Sequence, residues 1–353
     1  MARAGEAEAD LPQPAAQTDL VGHTAAAATL AEAADGGRLH HAWLIGGPRG
    51  IGKATLAYRV ARYVLAAGER RGQGGGAPLA LPPDSPTARL VAAGSHPDLV
   101  VVERALDDSG KRRKAEIGVA EVRRLIPFFG STASRGGARV CIVDAADDLN
   151  ASAANALLKM LEEPPAGGLF LIVSHAPGRL LPTIRSRCRR LDLARLADAD
   201  VRDGLVRLGL GGGLAAAELD AVVGASEGSL GRAVTLLDPA RVAMLGRVDA
   251  LFRALPIPDR RAVLALGDEA SLRGADDIFE LVVDRVRQGI SAAMRAGAAA
   301  GRPAPALAAW AEVWEKVDRA VGRAEALNLD RKQVVLAIFK DLAEAARSAA
   351  ASA

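Results

Sequence analysis

Cysteine and aromatic residues are scarce in this chain. It holds two cysteines, and Phe, Trp and Tyr together make up 3% of its 353 residues. Cys141 and Cys188 stand far apart without the paired spacing of metal ligands. That excludes a disulfide framework and fits a reducing, cytoplasmic compartment. No apolar run approaches the ~20 residues that cross a bilayer, and the opening "MARAGEAEADLPQP" has early acids and no apolar core, unlike a secretory signal. Charge of one sign is lacking too. A formal net charge of +3 is far below the density of a dedicated nucleic-acid-binding domain. What remains is an ordinary globular balance, half hydrophobic and a quarter charged, on a chain long enough for two or three domains.

Residues 1–18 are rich in alanine, acid and proline without periodicity and read as a disordered leader. Helical text begins at Asp19 and breaks at Gly-Gly before the strand-like "AWLIGG". A helix, "ATLAYRVARYVLAA", and a Gly/Pro-rich linker follow, then the strand "PDLVVVER", the amphipathic helix "VAEVRRLIPFFG", the buried strand "ARVCIVDAADDL", the helix "NASAANALLKMLEEPP" and the strand "GLFLIVSHAP". Strands alternating with helices predict a mostly parallel sheet covered on both faces, over 19–193. Beyond Leu193 the text is helical, in a short part over 194–240 and a longer one over 241–353. The expected fold class is therefore α/β plus all-α. "AGAAAGRPAPA" reads as a loop inside the last part, and the basic run Lys111 to Lys114 as a solvated loop.

The stretch "GGPRGIGKAT" follows a strand and opens a helix, the context a phosphate-binding loop requires. In such loops glycines let backbone amides converge on phosphate oxygens, a lysine neutralises the terminal phosphates, and a hydroxyl on the next residue ligates magnesium. Gly47, Gly50, Gly52 and Lys53 supply the first two elements. The third is lost, because Ala54 follows the lysine and Thr55 is rotated about 100° further round the helix. The acid-bearing strand end repeats the pattern. Asp144 stands on the metal side, but Ala145 occupies the place of a water-polarising carboxylate. Asp147 is expected roughly 10 Å further along an extended strand end, too far to substitute. Two independent losses predict a site that does not hydrolyse ATP by itself.

"TIRSRCRRL" places Arg185, Arg187, Arg189 and Arg190 on the rim of the sheet domain. Together with "HHAWLIGGPRGIGKATLA", "CIVDAADDLNASAANALLKMLEEPP" and "EGSLGRAV", this run resembles the AAA+ clamp-loader subunits of bacterial DNA polymerase III, the delta-prime type above all, from about Asp19 to Ala343. The resemblance implies an AAA+ P-loop domain, a small helical lid domain and a C-terminal helical collar domain. It implies that Arg187 is an arginine finger acting in trans on a neighbour's ATP, supported by Ser186 and Cys188, that Arg232 is the lid's sensor arginine, and that Ser174 is a sensor at a strand end. Ser174 reads equally well as a capping serine, and Arg232 as the partner of an acid.

Implied partners are the motor (tau/gamma) and delta subunits, with the sliding clamp and primed DNA engaged through the complex and no membrane. Many members carry four zinc-binding cysteines after the P-loop helix. The corresponding stretch here has none, and His96 alone cannot hold zinc, so no zinc is expected. No cofactor is required on this reading, although Lys53 and the loop amides leave ATP or ADP binding without hydrolysis open. Arg123 and Arg124 are candidate DNA contacts. The alternative is an active motor subunit of the same complex, against which Ala54 and Ala145 count. An unrelated P-loop kinase or transport ATPase would leave the Ser-Arg-Cys run unexplained.

Overall fold

The computed structural model describes residues 13–70, 77–106, 113–114, 116–134, 137–272, 276–326 and 329–351. The chain forms two compact units, residues 1–237 and 238–353. The first is built on β1 (Ala42–Gly46), β2 (Leu99–Glu103), β3 (Arg139–Asp144), β4 (Gly168–Ser174) and β5 (Arg189–Asp192), all parallel in the order β2-β3-β4-β1-β5. β4 is thus inserted between the strand that carries the glycine loop and the strand that ends in Asp144. Period-2 alternation sorts the side chains. Trp43, Ile45, Val140, Ile142, Leu171 and Val173 face one way, and Leu44, Cys141, Val143, Phe170 and Ile172 face the other.

Helices cover both faces. α1 (Thr24–Asp35) and α2 (Lys53–Leu65) lie on the first, with α3 (Pro86–Ala92) packed on α2. α4 (Val119–Arg123), α6 (Ala151–Glu162) and α7 (Pro182–Arg187) bury Val122, Leu157, Leu161 and Ile184 on the second, joined by α5 (Leu125–Gly130). The amphipathic run expected as one helix is α4 and α5 instead. Pro127 has no amide to donate back to residue 123, which breaks the ladder near Arg124. α8 (Asp198–Arg207), α9 (Ala216–Ala225) and α10 (Leu230–Thr235) enclose a small core of Val201, Leu205, Val223 and Ala233 within the same unit.

Three further details depart from the sequence reading. α1 begins at Thr24, not near Asp19, because Gly22 and His23 adopt positive φ of 62° and 54°. β5 is a strand that the charges of Arg189, Arg190 and Asp192 concealed. It is an edge strand, where exposed charge is tolerated. Residues 13–18, expected within a disordered leader, are tied down. Arg59 donates to the Thr18 carbonyl at 2.6 Å, and Arg62 to those of Ala15 and Gln17 at 2.8 and 2.5 Å. The two arginines are buried, at 8% and 2% exposure, so these carbonyls and Pro78 O supply the acceptors that their donors need. Residues 1–12 of the leader lie outside the described residues.

The second unit is helical: α11 (Pro239–Arg253), α12 (Arg260–Ala270), α13 (Asp276–Ala299), α14 (Ala304–Ala326) and α15 (Arg331–Ala351). Val248, Leu251, Phe279, Val286, Val317, Ile338 and Phe339 are among the residues of its core. The loop expected over 296–306 is shorter, since α13 runs to Ala299 and α14 starts at Ala304. No helix of the described residues is long and apolar enough to cross a membrane.

Candidate functional site: a phosphate loop and an arginine rim

The loop between β1 and α2 has the shape its glycines permit. Gly47, Gly50 and Gly52 have φ of 143°, 72° and 102°, a region costly for any residue with a Cβ. Four successive carbonyls each accept from a different group. Pro48 O accepts from Lys53 Nζ at 2.5 Å and Arg49 O from the Ser229 hydroxyl at 3.0 Å. Gly50 O accepts from the Gly231 amide at 2.9 Å, and Ile51 O bonds His23 Nε2 at 2.7 Å. Ser229 also caps α10, accepting from the Arg232 amide at 3.2 Å. "EGSLGR" is therefore docked directly on the loop. A Cβ on Gly50 would stand 2.4 Å from Ser229 Oγ and 3.2 Å from the Gly231 Cα.

A cavity of about 440 Å³ opens beside the loop, lined by Gly50, Gly52, Lys53, Thr55, Asp144 and His175 among others, with Gln13 and Gln17 from the tied-down segment. Lys53 is 3% exposed. Burial pushes its ammonium down to about 8, with Asp147 and Asp144 opposing. Burial, with Glu103 adding repulsion, raises the Asp144 carboxyl. Amides, glycines and Lys53 fit a phosphate. Ala54, half-buried at the start of α2, offers no ligand to magnesium, and Ala145, 4% exposed, offers no carboxylate to water.

Asp147 departs from its expected place on an extended strand end. Residues 146–148 form a 3-10 turn that curls its carboxylate back toward the end of β4. Oδ1 accepts from the Ser174 hydroxyl at 3.0 Å and the Ala176 amide at 2.9 Å, and Oδ2 from the His175 amide at 2.7 Å. Asp147 is thus occupied holding the next loop, and Ser174, fully buried, has its hydroxyl committed to the same carboxylate. His175 was not legible as a site residue. It lines the cavity with a buried Nδ1 that has no hydrogen-bond partner, and burial beside Lys53 pushes its imidazole down to about 2. Its only sequence signal is that it follows the strand that carries Ser174.

Arg187 lies apart from the cavity lining, at the last position of α7, with a side chain 34% exposed. Its Nη2 meets Glu162 Oε1 at 2.6 Å, and its Nη1 donates to Thr183 O at 3.1 Å. Ser186 Oγ donates to Thr183 O at 3.0 Å, while the half-buried Cys188 packs against the β3/α6 face, its thiol pushed up to about 12 by burial. Cys188 serves as a small apolar side chain packed on that cluster, next in sequence to the arginine. Arg232 pairs with Glu227 at 3.4 Å. In the basic loop, Arg113 pairs with Glu103 at 2.9 Å. Lys111 and Arg112 lie outside the described residues.

A phosphate loop after β1, an acid at the end of β3, a polar residue at the end of β4 and a helical lid seated on the loop define an AAA+ P-loop protein with a separate helical unit. Residues 22–197 match the family model described as DNA polymerase III, delta subunit. The chain is 41% identical over 155 residues to DNA polymerase III subunit delta' of Pseudomonas aeruginosa (43% of each chain). It is 37% identical over 161 residues to that of Escherichia coli K12 (43% of this chain, 42% of that one). Against DNA polymerase III subunit tau of E. coli K12 it is 31% identical over 284 residues, 75% of this chain and 42% of tau. The matches span less than half the length of these relatives. The chain belongs to the clamp-loader subunit family of DNA polymerase III, alongside its delta-prime members.

Proposed function

We propose that this chain is a delta-prime-type clamp-loader subunit that hydrolyses no ATP itself and supplies Arg187 to the ATP of a neighbouring motor subunit. The neighbour would be of the tau/gamma type, with a delta subunit completing a complex that loads a sliding clamp onto primed DNA in the bacterial cytoplasm. The C-terminal helical unit would be the collar that assembles the subunits, and residues 194–240 the lid. One observation carries the reading. The sole guanidinium of the Ser-Arg-Cys run sits partly exposed at a helix end, whereas the chain's own loop has Ala54 after Lys53, and its β3 end Ala145 after Asp144, where hydrolysis needs a metal ligand and a base. A guanidinium aimed at a transferring phosphoryl group is worth about 10³ to 10⁵ in rate, so this role needs no second catalytic group on this chain. The loop would hold ATP or ADP through its amides and Lys53 without turning it over.

Steady-state ATP hydrolysis by the chain alone, and in the assembled complex with clamp and primed DNA, tests this for the natural chain and for Arg187→Ala. The expected result is no turnover alone, turnover in the complex, and a marked loss with Arg187→Ala. The similarity to tau favours one rival, an active motor. Turnover by the isolated chain that disappears in Lys53→Ala would establish it and sink the silent reading.

A further inference from the structure

We propose that Glu162 is the positioning residue for Arg187, holding its guanidinium ready at the end of α7, an inference that rests on the finger reading above. Glu162 is the last residue of α6, which stops there because Pro164 and Pro165 follow and Glu163 has left helical geometry at φ −120°, ψ 72°. α7 ends at Arg187. The two helix ends meet because Leu157 and Leu161 of α6 share an apolar cluster with Ile184 of α7. "LLKMLEEPP" and "TIRSRC", separate motifs in the sequence, thus become one constellation.

The geometry suits positioning. Nη2 is held by Glu162 at 2.6 Å and Nη1 by the Thr183 carbonyl at 3.1 Å, so acceptors from two elements fix the plane of the guanidinium. A free arginine side chain visits many rotamers, and that freedom is lost when it must meet a phosphate. A partner that restricts it beforehand lowers the entropic part of the barrier. The pair is 34% and 41% exposed, so solvent screens it. It is strong enough to bias a rotamer and weak enough to yield the remaining N–H groups to a phosphate. Neighbouring arginines are engaged otherwise. Arg190 pairs with Asp192 on its own strand at 2.7 Å, and Arg189 lies over the Trp43 ring.

The test uses the assembled complex with clamp, primed DNA and ATP, and five forms of this chain: natural, Glu162→Ala, Glu162→Gln, Arg187→Ala, and the Glu162→Ala/Arg187→Ala double variant. Glu162→Ala is expected to lower kcat roughly two- to fivefold at unchanged KM for ATP. Glu162→Gln, whose amide oxygen still accepts from Nη2, restores most of it, and Glu162→Ala adds nothing once Arg187 is gone. Should the alanine variant fail to assemble, the glutamine variant, with its smaller loss, carries the comparison. A rise in kcat would mean that the pair withholds the arginine and overturns the proposal. An equal loss in the Arg187→Ala background would place the effect of Glu162 elsewhere and overturn it as well, with the finger reading intact. No loss from Arg187→Ala itself would sink the finger reading instead.

Discussion

The two ends of the sheet unit treat their charged groups in opposite ways. Around the phosphate loop, Lys53 and Asp147 are turned inward. The ammonium gives one of its donors to the loop's own carbonyl, and the carboxylate accepts from three donors at the end of β4 and in the loop after it. At the rim, Arg187 is held by one exposed carboxylate and one carbonyl. Groups built into a scaffold are hard to redirect toward a substrate, because redirecting them strands buried partners. A lightly held surface group can change partners at little cost. On the proposed reading, that difference is why the rim and not the loop would meet a transferring phosphoryl group.

Several measurements break or sharpen that contrast. The largest effect is expected from Asp147→Ala, which leaves the Ser174 hydroxyl and the amides of His175 and Ala176 without their acceptor. A loss of about 3 kcal/mol in urea unfolding is expected, and a loss below about 1 kcal/mol would mean that Asp147 is not part of the scaffold. Gly50→Ala comes next. With φ of 72° and Ser229 Oγ 2.4 Å from the new Cβ, it should cost about 2 kcal/mol. Gly178→Ala, with nothing within 4 Å of its Cβ, should stay within about 0.5 kcal/mol.

Lys53 gives a signed pH effect. Its folded pKa of about 8 is below the ordinary 10.5, so the unfolded chain binds the proton more tightly. Stability should therefore rise as pH climbs from about 8 to about 10.5, and fall back as pH drops through 8. Lys53→Met should flatten that rise in denaturation midpoints taken across the window. The nucleotide binding proposed above would draw on the ammonium, so it should weaken above about pH 8 in a fluorescent-ADP titration. The rim should respond weakly. Glu162→Gln should change stability by less than about 1 kcal/mol, and a larger loss would make the rim as structural as the loop.

Much of the sheet was legible because its strands are buried on both sides and read as apolar runs. "WLIG", "VCIV" and "LFLIV" have no other good interpretation. β5 was hidden because an edge strand tolerates the charges of Arg189, Arg190 and Asp192. Residues 13–18 were misjudged because what orders them is not their own pattern but two arginines of α2, more than forty positions away. In the site, the losses at Ala54 and Ala145 can be read from spacing alone. The commitment of Asp147 to Ser174 cannot, because it depends on a 3-10 turn bringing two strand ends together. Nor can the pairing of Glu162 with Arg187, which needs two helices to end side by side.

The four carbonyls of residues 48–51 make the loop a keystone as well as a cradle. His23 before α1, Lys53 in α2, and Ser229 and Gly231 at the lid all set their positions by it. Glycines and a lysine at these places would be demanded by the architecture even if no nucleotide ever arrived. A motif that in one protein is a signature of catalysis can thus serve in another as masonry. Its presence in a sequence then reports which joints the fold needs, while the two alanines beside it report what the fold can do without.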